Sequence, residues 1–259
     1  MQNQLLPSVL LIVSTIFFFT MERLRPGREL PHVKGWYWRA LLINLTQLLL
    51  VSIAGVTWNK YFREYSIFKV DLSNQPAVNG LFFWFIGTFV FYWWHRLRHQ
   101  NGWWVMFHQL HHSPKRIEVL TSFYKHPLEI ATNSILIGFI IYFVFGGTGE
   151  DGAWYAFFAA TGEYFYHANI RTPKWIGLII QRPEHHSIHH QLDVHNFNFG
   201  DLTWWDRLFG TFKDADEFTS ACGFPSDNER KFKEILTFRD VYADSLNSST
   251  PGSTLTTSG

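Results

Sequence analysis

The sequence predicts an all-α protein: an integral membrane helical bundle with a polar, histidine-rich helical cap on its cytosolic side. Three observations predict it. Aromatic residues are 19% of the 259, with 12 Trp and 26 Phe, as on surfaces that meet lipid and its interface. Uncharged apolar stretches alternate with basic loops. Mean hydropathy is nevertheless only −0.05, so a polar part must balance the apolar one. A formal charge of +1 gives no field that would attract nucleic acid. Cys222 is the only cysteine, which excludes an internal disulfide and any cysteine-built metal site. A metal here must rest on His and carboxylate.

Residues 5–21 (LLPSVLLIVSTIFFFTM) approach the lower length for a spanning helix. They lack the basic start and small-residue cleavage site of a signal peptide, and so read as a retained span. Arg23, Arg25, Arg28, Lys34 and Arg39 follow, and the positive-inside rule puts that loop in the cytoplasm. Residues 40–58 then lead out and 80–94 (GLFFWFIGTFVFYWW) lead back to His95, with Arg96 and Arg98 at the cytosolic exit. The 59–79 loop fits least well, because it holds Lys60, Arg63 and Lys69. Residues 128–146 leave again, GGTGEDG turns, and 153–166 return toward His167. These last two stretches are short and also fit a partly inserted hairpin, which gives about four spans by length. On this multi-pass topology every histidine cluster falls on the cytosolic side. From about 168 onward the chain reads as soluble. Residues 245–259, rich in Ser, Thr and Gly, read as a disordered tail.

Eleven of the 13 histidines lie between 95 and 190; His32 and His195 fall outside and read as ordinary histidines. Spacing says more than number. His95 and His99 are four apart. His108, His111 and His112 form H-x-x-H-H, and His186, His189 and His190 repeat it. On a helix, positions i, i+3 and i+4 share a face, so three imidazoles can converge on metal without bending the backbone. Together the three groups offer eight nitrogen donors, more than one divalent ion takes, and so point to two ions. Imidazole alone does not choose among Zn, Cu, Fe and Ni. Aromatic spans behind a many-histidine pair of metals suit O₂ chemistry on a buried chain, which redox-inert zinc cannot perform.

The motifs HRLRH, HQLHH, HPLE, HAN, PEHHSIHH and WWDRLFGTF, in this order over about 84–212, resemble the fatty acid hydroxylase / sterol desaturase superfamily. That resemblance implies a small four-helix membrane part under a cytosolic cap. It implies two iron ions, O₂, a lipid substrate and hydroxylation, desaturation or demethylation. Matched position by position, it makes His95, His99, His108, His111, His112, His167, His186, His189 and His190 metal ligands. Related hydroxylases often carry a further His four residues before the His167 position, where this chain has Glu163. Glu163 would then be a ligand, an acceptor for an imidazole N–H, or a polar residue at a span end. His126, His185 and Asn169 are likewise candidates for an extra ligand or for a hydrogen bond to one. The aromatic run Trp204, Trp205, Leu208 and Phe209 reads as packing more than as substrate contact. Asn196 and Asn198 either hold ligand imidazoles or are turn residues.

On these readings residues 1–79 form the N-terminal transmembrane helices and loops. Residues 80–213 form the catalytic domain, 214–244 a soluble C-terminal segment and 245–259 the tail. No haem-attachment or dinucleotide-binding motif is present, so electrons are expected from a separate protein of ferredoxin or cytochrome b5 type. Zinc is expected to be able to replace iron in purified protein, since it binds such sites more tightly. The rival reading is a non-enzymatic membrane metal-binding or transport protein. The spans at 5–21, 40–58 and 81–94 carry no mid-span charge to support it.

Overall fold

The computed structural model describes residues 5–70 and 75–243, so the expected 245–259 tail lies outside the described residues. Helix α1 is Leu5–Leu24 and α2 is Trp36–Phe62, prolonged by a 3-10 turn at Arg63–Tyr65. Helix α3 is Pro76–Arg98. A π turn, Trp104–His108, leads into the short α4, Gln109–His112. Helix α5, Pro127–Gly138, runs on as a π turn through Phe139–Val144, and α6 is Gly149–His167. The short helices α7 (Pro183–His189) and α8 (Thr203–Leu208) complete the part around the histidines. Among the described residues the only β pairing is two isolated bridges, Ile180–Leu202 and Gln191–Cys222.

Four helices are long and apolar enough to cross a membrane: Leu5–Leu24, Trp36–Tyr65, Pro76–Arg98 and Pro127–Val144. Each contains the core of an expected span and most run further. Polar ends such as Arg23, Lys60 and Arg98 continue the helix into the interfacial layer, where long cationic side chains are tolerated. Proline opens α3, α5 and α7 at a position where no N–H is needed. A capping box starts α6: Asp151 N–H donates to Thr148 Oγ1 (3.2 Å), and Thr148 N–H donates to the Asp151 carboxylate (2.6 Å).

Helix α6 is less apolar than the four and packs between α1 and α3. It runs parallel to α3, because Asn79 near the start of α3 donates to Asp151 near the start of α6. Glycine allows the close approach: a Cβ on Gly80 would lie 2.4 Å from Trp154 Cβ, and one on Gly87 2.8 Å from the Tyr155 hydroxyl. At this end the 66–70 loop also bonds to the end of the fourth span, with Ile67 N–H donating to Phe143 O (2.8 Å). All the histidine motifs lie at the other end. There Glu22 accepts N–H bonds from Val119 and Asn169, and Glu118 accepts from Trp36, Arg116 and Arg23. These buried carboxylates tie α1 and α2 to the loops behind His112 and His167.

The region after 168 departs from the expected soluble character in one place. Trp175, Leu178, Ile179, Trp204 and Leu208 are exposed apolar side chains, clustered beside α3. The run KWIGLII is too short and too closely flanked by charge to stand out in a hydropathy average.

Candidate metal centre

Four parts of the fold bring the histidines together: the end of α3, the π turn with α4, α7 and the end of α6. His95 sits in the last turn of α3 and His99 is its C-cap. His108 ends the π turn, and His111 and His112 end α4. His186 and His189 lie on α7, with His190 as its C-cap. His167 closes α6.

The nine side chains form two groups: His95, His99, His108, His112 and His189 in one, and His111, His167, His186 and His190 in the other. Each H-x-x-H-H motif is therefore divided. From the first, His108 and His112 enter the five-histidine group and His111 enters the four-histidine group. From the second, His189 enters the five and His186 and His190 the four. The expectation that three imidazoles on one helical face converge is thus corrected. In both motifs the i and i+4 rings stay together and the i+3 ring turns to the other group, the second motif doing so on an ordinary α-helix.

Within each group the nearest ring nitrogens all lie within 4.8 Å of one another. Donors about 2.1 Å from a shared ion are separated by about 3.0–4.2 Å, so the groups have the span of a coordination shell. Nε2 of His186 lies 3.1 Å from Nε2 of His167 and 3.1 Å from Nε2 of His190, and His167 Nε2 lies 3.3 Å from His111 Nε2. His95 Nε2 lies 2.9 Å from His108 Nε2. A neutral imidazole carries one N–H, so such crowded nitrogens aim several lone pairs at one point. Both ring nitrogens of His99 and His112, and Nε2 of His189, are buried without a hydrogen-bond partner. Unpaired ring nitrogens of this kind are costly in a protein interior, and a cation held by the five-histidine group would take up one nitrogen of each of these three rings.

In His95, His189 and His167 the opposite nitrogen is held by the fold. His95 Nδ1 is 2.7 Å from Phe199 O, His189 Nδ1 2.8 Å from Phe197 O and His167 Nδ1 2.9 Å from Glu163 O. Such contacts set tautomer and ring angle, leaving Nε2 for metal. The 197–200 loop is itself braced. Buried Asn198, at φ 58°, donates to His185 O and Lys213 O, and Asp206 accepts from Phe199 N–H and Gly200 N–H at 2.8 Å each. Of the two readings of Asn198, bracing through the loop is therefore the observed one; Asn196 is exposed. Burial pushes the Asp206 carboxyl up to about 6 despite these bonds.

Glu129, buried in the HPLE motif, lies 3.2 Å from His108 Nδ1 and is ion-paired with Arg98. It reads from sequence as a polar residue at a span end. Its Pro127-led helix start beside the histidine motifs was the available signal. Asp206 lay hidden inside an aromatic run. In that run Trp205 and Phe209 do pack, against Phe89 and Tyr92 of α3, while Trp204 and Leu208 stay exposed.

Four candidates lie outside both groups. His126 caps α5, its Nδ1 accepting from Leu128 N–H at 3.1 Å. His185 Nε2 is 2.8 Å from Asp214. The Asn169 side chain is engaged by the Arg28 main chain, donating to its O (2.8 Å) and accepting from its N–H (3.2 Å). None of these three joins either group: His126 and Asn169 have their polar atoms engaged elsewhere, and His185 turns its Nε2 to Asp214. Glu163 is ion-paired with Lys125 at 2.6 Å, and its other oxygen stands 3.6 Å from His167 Nδ1. It neighbours the four-histidine group without joining it. His195, read as ordinary, packs against His112 and Trp104 with ring centroids 5.3 and 5.0 Å apart; His32 is exposed, as expected.

Removal from water holds the site neutral. It lowers His111, His112, His186 and His190 well below the usual imidazole range, with neighbouring rings adding to the effect. Burial takes His189 down to about 3 and His167 to about 4. Neutral imidazole is the metal-binding form.

Residues 80–211, just over half of the chain, match the family model described as fatty acid hydroxylase. Over 183 residues (68% of the chain) the sequence is 29% identical to human alkylglycerol monooxygenase, covering 40% of that protein. Over 114 residues (44% of the chain) it is 41% identical to methylsterol monooxygenase 2-2 of Arabidopsis thaliana, covering 43% of it. The chain thus spans less than half the length of these curated relatives. No solved structure matches it.

Proposed function

Because the chain belongs to the fatty acid hydroxylase family, we propose that it is a membrane-bound di-iron oxygenase that hydroxylates or desaturates a C–H bond of a lipid. O₂ is the oxidant, and a separate ferredoxin- or cytochrome b5-type protein is the electron source. The observation that carries the reading is the division of nine histidines, all but His99 buried, into two donor groups at one end of four membrane-length helices. The relatives named as monooxygenases of alkylglycerol and methylsterol support a lipid substrate.

His95, His99, His108, His112 and His189 would hold one iron, and His111, His167, His186 and His190 the other. Iron bound there supplies the O₂ activation and one-electron chemistry that an unactivated C–H bond requires. The protein's own work is to keep the imidazoles neutral, to aim them through Phe199 O, Phe197 O, Glu163 O and Glu129, and to exclude water. The basic loop after α1 supports a cytosolic setting for the histidine end.

Purified chain in nanodiscs, reconstituted with ferrous iron and supplied with a reductase, a cytochrome b5 or ferredoxin, O₂ and a mixed lipid extract, tests the reading. Two irons per chain and an oxygenated or desaturated lipid, absent without O₂, are expected. One tightly bound metal per chain refutes the dinuclear site. Iron-loaded protein that consumes no O₂ with any lipid class refutes the oxygenase. Cysteines introduced at Lys115 and Glu150 should label from opposite sides of the membrane; labelling from the same side refutes the topology.

A further inference from the structure

An apolar groove of about 620 Å³ lies between α3 and the segment 174–180. Val78, Phe82 and Phe85 form one wall, Trp175 and Ile179 the other, and Leu202 lies toward the interior. No charged side chain lines it. The volume is that of a site for a drug-sized apolar molecule.

One wall belongs to a membrane-length helix, so the bilayer says what covers it. Val78 to Phe85 precede His95 by 17 to 10 residues, which places them about 15–25 Å from it along the helix axis. That is the depth of hydrocarbon, not of headgroups. The opposite wall is continuous with it through exposed Trp175, Ile179 and Trp204. Irregular backbone survives at such depth only when its polar groups are satisfied. Here they are: Thr203 Oγ1 donates to Gly177 O (3.1 Å), Trp204 Nε1 to Leu178 O (2.9 Å) and Thr203 N–H to Ile179 O (3.1 Å). On the inner side, Leu202 follows Asp201, which accepts the Tyr166 hydroxyl at 3.0 Å, and the Tyr166 ring lies 4.6 Å from that of His186. Asp201 and Tyr166 thus connect the groove's inner edge to the four-histidine group.

We propose that this groove receives one hydrocarbon chain of a bilayer lipid, entering sideways from the membrane between α3 and the 174–180 segment. It deepens the oxygenase reading by assigning a substrate with a long apolar chain that lies along α3 while its reacting carbon is nearer the histidines. Occupancy of the groove by lipid does not itself depend on turnover.

The full chain in nanodiscs containing a trace of phospholipid with a diazirine in one acyl chain is photolysed, and adducts are mapped by mass spectrometry. Adducts on 78–85 and 174–180 should be denser than on the lipid-facing Ile12 and Ile16 of α1. Ile179→Trp fills the groove and excludes about two methylenes, so groove adducts should fall about tenfold while α1 adducts stay constant. Equal density at the two places, or adducts unaffected by Ile179→Trp, would show ordinary boundary lipid and overturn the proposal. Phe82→Trp fills the groove from the other wall, with the same expectation, should Ile179→Trp fail to fold. A nitroxide at Leu178→Cys, specific because native Cys222 is buried, should meet dissolved O₂ more readily than a water-soluble nickel chelate; the reverse also overturns the proposal. Groove labelling without turnover supports the groove and counts against the oxygenase. Turnover without groove labelling does the opposite.

Discussion

Replacing Glu129 by Gln should separate two tasks performed by one buried carboxylate. Its oxygens neutralise Arg98, whose side chain is only 5% exposed, and lie against His108 Nδ1 at 3.2 Å. Glutamine keeps the shape and one acceptor but removes the charge. A buried guanidinium without its counter-charge costs about 3–5 kcal/mol. Weakening the acceptor behind a ligating imidazole costs about 10–100-fold in metal affinity, or about 1.4–2.7 kcal/mol. The stability term is the larger and should appear in metal-free protein. Melting followed by tryptophan fluorescence without metal, and metal retention against a chelator, read the two terms separately. The double variant Arg98→Met with Glu129→Gln should regain most of the stability and none of the affinity. An unchanged metal-free melt in Glu129→Gln would refute the dependence of Arg98 on Glu129. Unchanged chelator resistance would remove His108 from the ligand set or Glu129 from behind it.

Three further outcomes follow from the same geometry. His111→Ala should release the ion of the four-histidine group first and His112→Ala that of the five-histidine group; identical iron spectra for the two variants would refute the division. Glu163→Gln breaks the ion pair with Lys125 but leaves the Glu163 main-chain carbonyl on His167 Nδ1, so both metals should remain and turnover should fall by less than about tenfold, the mild end of such effects. Loss of one iron on elemental analysis would make Glu163 a ligand. Acid should destabilise metal-free protein steeply. With His189 held to about 3 and His167 to about 4, the unfolded chain takes up protons below about 6.5 that the folded one refuses. This contribution is therefore fully present above about pH 6.5 and is lost as pH falls toward the folded values, by up to about 1.4 kcal/mol per histidine per pH unit. Denaturation midpoints that do not move between about pH 7 and 5 would contradict the buried, neutral cluster.

The spans were legible because each is a long uninterrupted apolar run, and the histidine motifs because their spacing is improbable in unrelated sequence. The partition of those motifs was not. Spacing of three and four reports a shared helical face, whereas the aim of each ring depends on which helix stands opposite. Glu129 and Asp206 were invisible as partners for another reason. A single carboxylate carries no periodicity, and its contacts, His108 21 positions away and Phe199 seven, exist only after folding. His126, His185 and Asn169 stand beside the histidine motifs yet outside both groups, His126 capping a helix, His185 turned to Asp214 and Asn169 to the Arg28 main chain, contacts that spacing does not reveal. The 174–180 segment escaped for want of length: seven residues do not move a window average.

The division of the second histidine motif has a consequence for the order of events during synthesis. His189 completes one donor group, and His186 and His190 complete the other. The carbonyl that orients His95 belongs to Phe199, and its loop is pinned by Asp206. Among the described residues the four long apolar helices end by Val144 and α6 by His167, before these residues leave the ribosome. N-terminal segments form first as a chain is made. The bundle is therefore inserted while neither metal site has its full set of donors, and metallation becomes a late, post-insertional step. A nascent chain in the translocon cannot complete either donor group before its hydrocarbon surroundings are in place.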